Sequence, residues 1–437
     1  MINWRKPIIY ILSWLQGSKR MKYYNEILKY EKLSEKELRD LQEEKLKKIL
    51  LHAYEHVPYY KEILPNSGVI KDGKVYLENF SKIPVLTKDI LRERFEDLKS
   101  DDMGSRHTYK NHSGGSTGEP TEFIQDKDYD DWNIANKMSY RNIVGHQIGM
   151  KEVRLWGSER DFLGDKEDLI MRIRNFFFNR KDFNAFRMTP EDMQNYCNII
   201  NTWKPKWIEA YVNPIYELAK YADKNNIRLN SPLGVISSAG NLYPEIKKKL
   251  EEVLQCPIIN RYGSREVGDI ACGVDDLRIS VWNQKVEIQK KKENDEFGKI
   301  LVTNLNNYSM PMIRYDIGDI AKESREWGYL EEIGGRESSV FRNRKGKVIP
   351  GLLFVHFLGV VMNDGAIKQF QMIQKDYEDI QIKVVVEDKK GFEESKKGIE
   401  ELIDKAMESK CNITWTEVKE IPPLDSGKYL YVKSEVK

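Results

Sequence analysis

The chain has 437 residues, more than one ordinary hydrophobic core absorbs, so two or more domains are expected. Hydrophobic residues make up 40% and charged residues 32%, the balance of a soluble globular protein; Lys+Arg (71) against Asp+Glu (69) leaves no bulk charge to favour nucleic acid or an acidic partner. Cys197, Cys256, Cys272 and Cys411 are far apart and form no CxxC pair, which argues against a disulfide framework or zinc knuckle and for a reducing cytoplasm.

The chain opens on MINWRKPIIYILSWLQGSKRMKYY. Its apolar run, Pro7 to Leu15, is too short to cross a bilayer, and no small-residue cleavage site stands out. Arg5, Lys6, Lys19, Arg20 and Lys22 flank it. Two readings stay open: a helix packed on its own protein, or a basic, aromatic-rich helix lying on an anionic membrane surface through residues 1–22.

Residues 23 to 63 read as helical. In SEKELRDLQEEKLKKILLHAYEHV, Ser34 stands as N-cap with Glu37 three residues on, and apolar residues then recur at helical spacing. Pro58 disfavours helix at Val57, so VPYY ends the stretch. IPVLTKDILRERFEDL predicts an extended piece, a cap at Thr87 and another helix. Between 150 and 320 the pattern alternates. EVRLWGS, PKWIEAY, LGVISSAG and PIINRYGS read as strands, with helices in TPEDMQNYCNIINTW, PIYELAKYADKNN and YPEIKKKLEEVLQ between them. That alternation predicts an α/β domain with a largely parallel sheet. ISVWNQKVEIQ and GKILVTNL add strand-like runs. Residues 1–336 are read as one large α/β domain with a helical lead-in over 1–63. Residues 337–437 are read as a small α+β domain ending in a Pro/Gly turn and a terminal strand.

Several stretches carry residues suited to chemistry. In NHSGGSTGEPTEF, residues 111–123, glycines let backbone N–H groups turn toward phosphate oxygens, and Ser113, Ser116 and Thr117 add hydroxyl donors. The loop lacks the Gly-Lys-Ser/Thr ending of a P-loop, and its composition also suits a plain surface loop. SSAGNLYPEI and NRYGSREVGDIACG sit at the C-terminal ends of predicted strands, where open α/β sheets place ligands. Ala239 and Gly240 offer small surfaces beside a flat ring, Tyr262 can stack on it, and Glu266 suits Mg²⁺ or a salt bridge in a structural turn. In MIRYDIGDIA, Asp316 and Asp319 suit vicinal hydroxyls or a β-turn. GGRESSVFRNRKGK marks the boundary of the small domain, and Lys428 in DSGKYLY reads alone as a solvated lysine.

In this order and spacing, the chain resembles the adenylate-forming acyl-activating superfamily. HAYEHVPYYKE, IPVLTKDILRE, YGSREVG and NYSMPMIRYDIGD resemble its phenylacetate–CoA ligase/CapK-type branch, from about residue 45 to the C-terminus. The resemblance implies a ligase using ATP and Mg²⁺. A carboxylate attacks the α-phosphate, pyrophosphate leaves, and the acyl adenylate passes its acyl group to a thiol, CoA among them, or to an amine. It implies that Ser113, Gly114, Gly115, Ser116, Thr117 and Gly118 grip the β/γ-phosphates. Ala239 and Gly240 would line the adenine slot, with Tyr262 stacked on the ring and Gly263 beside it. Glu266 would bind Mg²⁺, Asp319 the ribose hydroxyls, and Arg336 the ribose or phosphate near the hinge. Lys428 would reach from a mobile small domain to the attacking carboxylate and α-phosphate.

The sequence departs from the family pattern at three places. Ser338 and Ser339 stand where the hinge motif has two acidic residues, and Glu119 stands where the loop often has Lys. Cys272 is alone and REWGYLEEIGGR has no cysteine, so no zinc is expected. Trp156, Ser158, Tyr211, Asn213 and Ser238 are expected near the acyl pocket, and Arg154, Arg160 or Arg265 suit a polar or doubly charged acid or else a surface salt bridge. Three readings follow: an amide- or ester-forming ligase in surface-polysaccharide assembly, an aryl-acid–CoA ligase, and a nucleotide-binding pseudo-enzyme.

Overall fold

The computed structural model describes residues 3–113, 121–156, 165–185, 188–238, 240, 242–336, 340–356, 358, 366–422 and 430–436, with some side chains in 165–171 and 352–356 excepted. Residues 114–120, Ser158, Arg160, Ala239, Ser338, Ser339 and Lys428 lie outside the described residues.

Four helices lead in: α1 (Arg5–Leu15), α2 (Arg20–Tyr30), α3 (Glu35–His56) and α4 (Pro58–Asn66). The capping box forms as read from the sequence. Ser34 accepts from the Glu37 N–H, and Glu37 accepts from the Ser34 N–H at 2.8 Å. Val57 is extended (φ −117°), but Pro58 then serves as the first residue of α4, because a helix start has no use for the missing N–H. Ile49, Leu50 and Ala53 of α3 are buried in the main core, with Val302, Met312 and Tyr315 among their partners. A short ladder follows, β1 (Ile70–Lys71) with β2 (Lys74–Val75), and Thr87 caps α5 (Lys88–Glu93) by accepting from the Ile90 N–H.

β3 (Thr108–His112) and β4 (Glu122–Asp126) pair antiparallel on either side of the Gly/Ser stretch in the sequence; Asp126 caps α6 (Lys127–Ser139). Then come β5 (Glu152–Trp156), α7 (Asp165–Phe178), β6 (Arg180–Asn184), α8 (Pro190–Trp203), β7 (Trp207–Tyr211), α9 (Val212–Lys224), β8 (Gly234–Ser238), α10 (Pro244–Leu254) and β9 (Ile258–Ser264). These five strands pair in parallel, as helical crossovers require. The sheet continues antiparallel through β10 (Gly268–Gly273), β11 (Leu277–Ile279), β12 (Gln284–Gln289), β13 (Phe297–Asn304), β14 (Tyr315–Glu323) and β15 (Tyr329–Arg336). The whole is an eleven-stranded sheet in the order β12-β13-β14-β15-β11-β10-β9-β8-β7-β5-β6. The expectation of a largely parallel sheet therefore holds for β5–β9 and is corrected beyond them, where the connections are too short for crossover helices.

The last hundred residues build β16 (Val340–Arg342), β17 (Val348–Pro350), α11 (Gly351–His356), β18 (Ile367–Asp376), β19 (Asp379–Val386), α12 (Lys389–Met407), β20 (Asn412–Glu417) and β21 (Val432–Ser434). A four-stranded sheet, β20-β19-β18-β21, is covered by α12, whose Phe392, Ile399, Ile403 and Met407 share a core with Met372, Ile382 and Val384.

Candidate active site

Two hairpins bring the polar residues together. Asp319 on β14 and Arg336 on β15 are cross-strand partners, and Arg336 Nε lies 3.0 Å from Asp319 Oδ1. From β9, the Tyr262 hydroxyl donates to Asp319 Oδ2 at 2.8 Å. Arg336 also donates to the Ile317 carbonyl (2.9 Å). Asp316 plays a different part: its Oδ1 accepts from the Gly318 N–H (2.8 Å), closing a turn in which Gly318 takes φ +80°, and its Oδ2 accepts from Lys299 (3.1 Å). The structure thus separates the two aspartates of RYDIGD into a turn former and a site carboxylate. Burial, then Asp319, push the Tyr262 phenol well above its ordinary range, so it stays a donor.

Glu266 occupies the turn between β9 and β10. It is 7% exposed, and its carboxylate makes no hydrogen bond or ion pair among the described residues. Arg336 and Lys88 feel its charge without touching it, and a carboxylate oxygen left without a hydrogen bond among the described residues is a donor suited to a hard cation. Its backbone is fixed from the other hairpin: Gln125 on β4 donates to the Arg265 carbonyl (2.8 Å) and the Glu266 carbonyl (3.2 Å), and Asn111 on β3 donates to Gln125 (3.1 Å). Ser113 closes the base of the Gly/Ser loop, donating its N–H to the Thr121 carbonyl (2.9 Å) while its hydroxyl accepts from the Thr121 N–H (2.8 Å). The hairpin that bears Ser113 therefore also braces the Glu266 turn, through Gln125. Gly263 answers to packing: a Cβ there would stand 2.5 Å from the Gly268 carbonyl oxygen of the adjoining strand.

Lys88 was not anticipated. The segment before α5 docks on β14, with the Leu86 N–H on the Arg314 carbonyl (3.1 Å) and the Asp316 N–H on the Leu86 carbonyl (3.0 Å). This sets Lys88, half-buried at the start of α5, in the field of Arg336, Glu266, Asp319 and Asp316. Burial, then Arg336, lower its pKa. The sequence signal was the Thr87 cap, which fixes where the next residue points; nothing local links it to residues 314–319.

Trp156, Tyr211 and Ser238 end strands β5, β7 and β8 side by side. The Trp156 and Tyr211 rings stack at 3.9 Å. Gly240 is held small by Val212, whose Cβ would lie 3.2 Å from an added Cβ. Arg265 and Asn213 are exposed. A separate cluster of metal-ligand types, His52, His56 and Asp102, lies elsewhere. There Arg106 (2.6 Å) and Ser100 (2.6 Å) already hold the Asp102 carboxylate.

Comparison with known proteins places this geometry in context. Residues 340–435 match the family model of the CapK C-terminal domain. Across its whole length the chain is 21% identical to Protein CapK of Staphylococcus aureus, covering 100% of both. It is 34% identical over 317 residues to the phenylacetate-coenzyme A ligase of Thermus thermophilus, covering 66% of each. Among solved structures, it superposes with a TM-score of 0.68 on 2-hydroxyisobutyryl-CoA ligase in a postadenylation state bound to an acyl-AMP, at 17% identity, over 92% of this chain and 90% of that one.

Proposed function

Starting from a chain that belongs to the adenylate-forming acyl-activating superfamily, in its phenylacetate–CoA ligase/CapK-like branch, we propose an ATP-dependent ligase that joins a carboxylic acid to AMP and then transfers the acyl group to a thiol or amine. The observation that carries this reading is the convergence of Asp319, Arg336 and Tyr262, with Glu266 within their electrostatic reach and its turn braced by the hairpin that bears Ser113. Asp319 would accept the ribose hydroxyls, exchanging the Tyr262 and Arg336 donors that hold it in place. Tyr262 would then lie against adenine. Arg336 and Lys88 would take charge from the phosphates, and the 113–118 loop would enclose the outgoing pyrophosphate. Glu266 would hold Mg²⁺, which neutralises phosphate charge as two anions approach. Lys428 would arrive with residues 337–437, acting as a mobile domain, to steady the attacking carboxylate.

The acceptor has two readings. The ligase relatives named for coenzyme A favour a thiol. The second reading is an amine acceptor in surface-polysaccharide assembly; the likeness to CapK over the full length, where that to the coenzyme A ligases is partial, leaves room for it. Pyrophosphate release screened over aryl, fatty, amino and uronic acids, with and without CoA or amines, separates them. Completion only with CoA supports the first reading and completion only with an amine the second. ATP binding without release from any acid would indicate a pseudo-enzyme and sink both.

The reading also places the enzyme in the cytoplasm, against an anionic membrane. No helix among the described residues is long and apolar enough to cross one. Instead α1 buries Ile9 and turns Trp14 (75% exposed) and Leu15 (67%) outward. Phe176 of α7 (58% exposed) lies 6.4 Å from the Trp4 ring, with Arg5 over both rings. Exposed aromatic and apolar side chains beside Arg5, on a helix pair rich in Lys and Arg, suit lipid headgroups. Trp14→Glu and Phe176→Glu should abolish co-sedimentation with vesicles containing phosphatidylglycerol. Equal pelleting of wild type with neutral phosphatidylcholine vesicles, or none with either, would refute it.

A further inference from the structure

The floor beneath the Trp156–Tyr211 stack is charged. On the same face of the parallel strands, Arg154 of β5 stands in register with Glu209 of β7 and Asp182 of β6. Each of those carboxylates gives its hydrogen bond to another group. Glu209 accepts from Arg261 at 2.7 Å and feels Arg154 only through its charge, while Asp182 Oδ2 accepts from Asn175 at 2.6 Å and its Oδ1 is buried without a hydrogen-bond partner among the described residues. Arg154 is left over: its Nε is sealed from solvent without a hydrogen-bond partner, and its guanidinium joins no ion pair among the described residues. It leans toward the C-terminal end of the sheet, with the guanidinium carbon 5.1 Å from the Trp156 ring centroid. That is the end at which open α/β sheets receive ligands.

A guanidinium carries five donors in a planar fork matched to carboxylate and phosphate, and leaving such donors buried and unmet is costly. Arg154 is half-buried with its Nε sealed off, and an apolar acid would leave that Nε unmet and cover more of the fork without answering it. We infer that Arg154 is a specificity residue of the acyl site, and that the acid activated here carries a second anionic group, a carboxylate or phosphate, which Arg154 receives beneath the Trp156–Tyr211 shelf. This rests on the reading of the site as adenylate-forming.

The test compares matched acids on the same protein: hexanoate with adipate, phenylacetate with 4-carboxyphenylacetate, and butyrate with 4-phosphonobutyrate, each by ATP-dependent pyrophosphate release. In wild type, at least one acid with the second anionic group should exceed its neutral partner in kcat/KM by roughly tenfold or more, as expected for a charge-assisted contact in a partly buried site. Whether the preferred acid is the dicarboxylate or the phosphonate identifies the group. Arg154→Met should erase the preference, and Arg154→Lys should restore part of it. Because the readout is a ratio of two acids on one preparation, partial misfolding cancels. A wild-type preference for the neutral acids, or a ratio unchanged in Arg154→Met, overturns the inference and leaves the adenylating activity standing. Absence of release from every acid overturns the activity itself, and the inference with it.

Discussion

The Tyr262 hydroxyl donates to Asp319 Oδ2 at 2.8 Å, tying the YGSREVG turn to the RYDIGD turn. Asp319 is thereby held between a phenol and, through its other oxygen, Arg336. Losing the carboxylate removes a charge-assisted contact made on both sides, so Asp319→Asn should lower kcat/KM for ATP by about 10- to 100-fold, the range of a hydrogen bond to a charged group. Tyr262→Phe leaves the Arg336 contact in place and should cost less. Steady-state kinetics with ATP varied tests the order, and equal effects of the two variants would contradict it.

Glu266→Gln probes the orphaned carboxylate. The side chain makes no described hydrogen bond or ion pair and reaches Arg336 and Lys88 only through its charge, so removing that charge should change the melting temperature little. Activity should fall and the Mg²⁺ concentration for half-maximal rate should rise. A variant with a clearly lowered melting temperature and the wild-type Mg²⁺ dependence would show that Glu266 is a structural residue.

Local signals were legible and long-range ones were not. Ser34 with Glu37, and Thr87 alone, announce helix starts because a cap acts within three residues. Tyr262, Glu266 and Asp319 stood out as polar residues in Gly-flanked turns. By contrast, α7 and β6 escaped notice. They join at Asn179 (φ +54°), with no proline or glycine between them, and the β6 stretch RKDFN has one buried apolar residue, Phe183, because it is an edge strand. Lys88 owes its place to Leu86 pairing across to Arg314 and Asp316, a contact no window of sequence contains. The spare charge on Arg154 depends on which neighbours Glu209 and Asp182 choose.

His146 predicts a pH dependence. It is 1% exposed, neither ring nitrogen has a hydrogen-bond partner among the described residues, and burial first, then Arg141, push its pKa down from 6.5 to about 3. The unfolded chain therefore takes up a proton that the folded one refuses. Stability is full above about pH 6.5 and erodes on acidification toward pH 3, by up to about 1.4 kcal/mol per pH unit from this residue. His146→Leu should flatten the fall in melting temperature between pH 6.5 and 4.5. An identical slope in both proteins would assign the acid sensitivity elsewhere.

Arg261 and Glu209 make the sharpest stability test. Arg261 Nη1 donates to Glu209 at 2.7 Å, with side chains only 7% and 16% exposed. Burial alone would raise the Glu209 carboxyl, but Arg261, with Arg154, Arg141 and Arg180 behind it, holds it below the usual carboxylate range; Arg261 is raised in turn, its own burial outweighed by Glu209 and Asp269. Glu209 is the nearer of two carboxylates facing Arg261, the other being Asp269 at 4.0 Å. Glu209→Leu should leave the guanidinium with Asp269 alone and cost up to about 3–5 kcal/mol, the penalty for breaking a buried pair. Arg261→Met in the same chain removes the guanidinium, and the double variant should regain most of that loss. Urea denaturation midpoints measure all three. If the double variant is no more stable than Glu209→Leu, the two side chains are not energetically coupled, and the charged layer under Trp156 is held by something other than this pair.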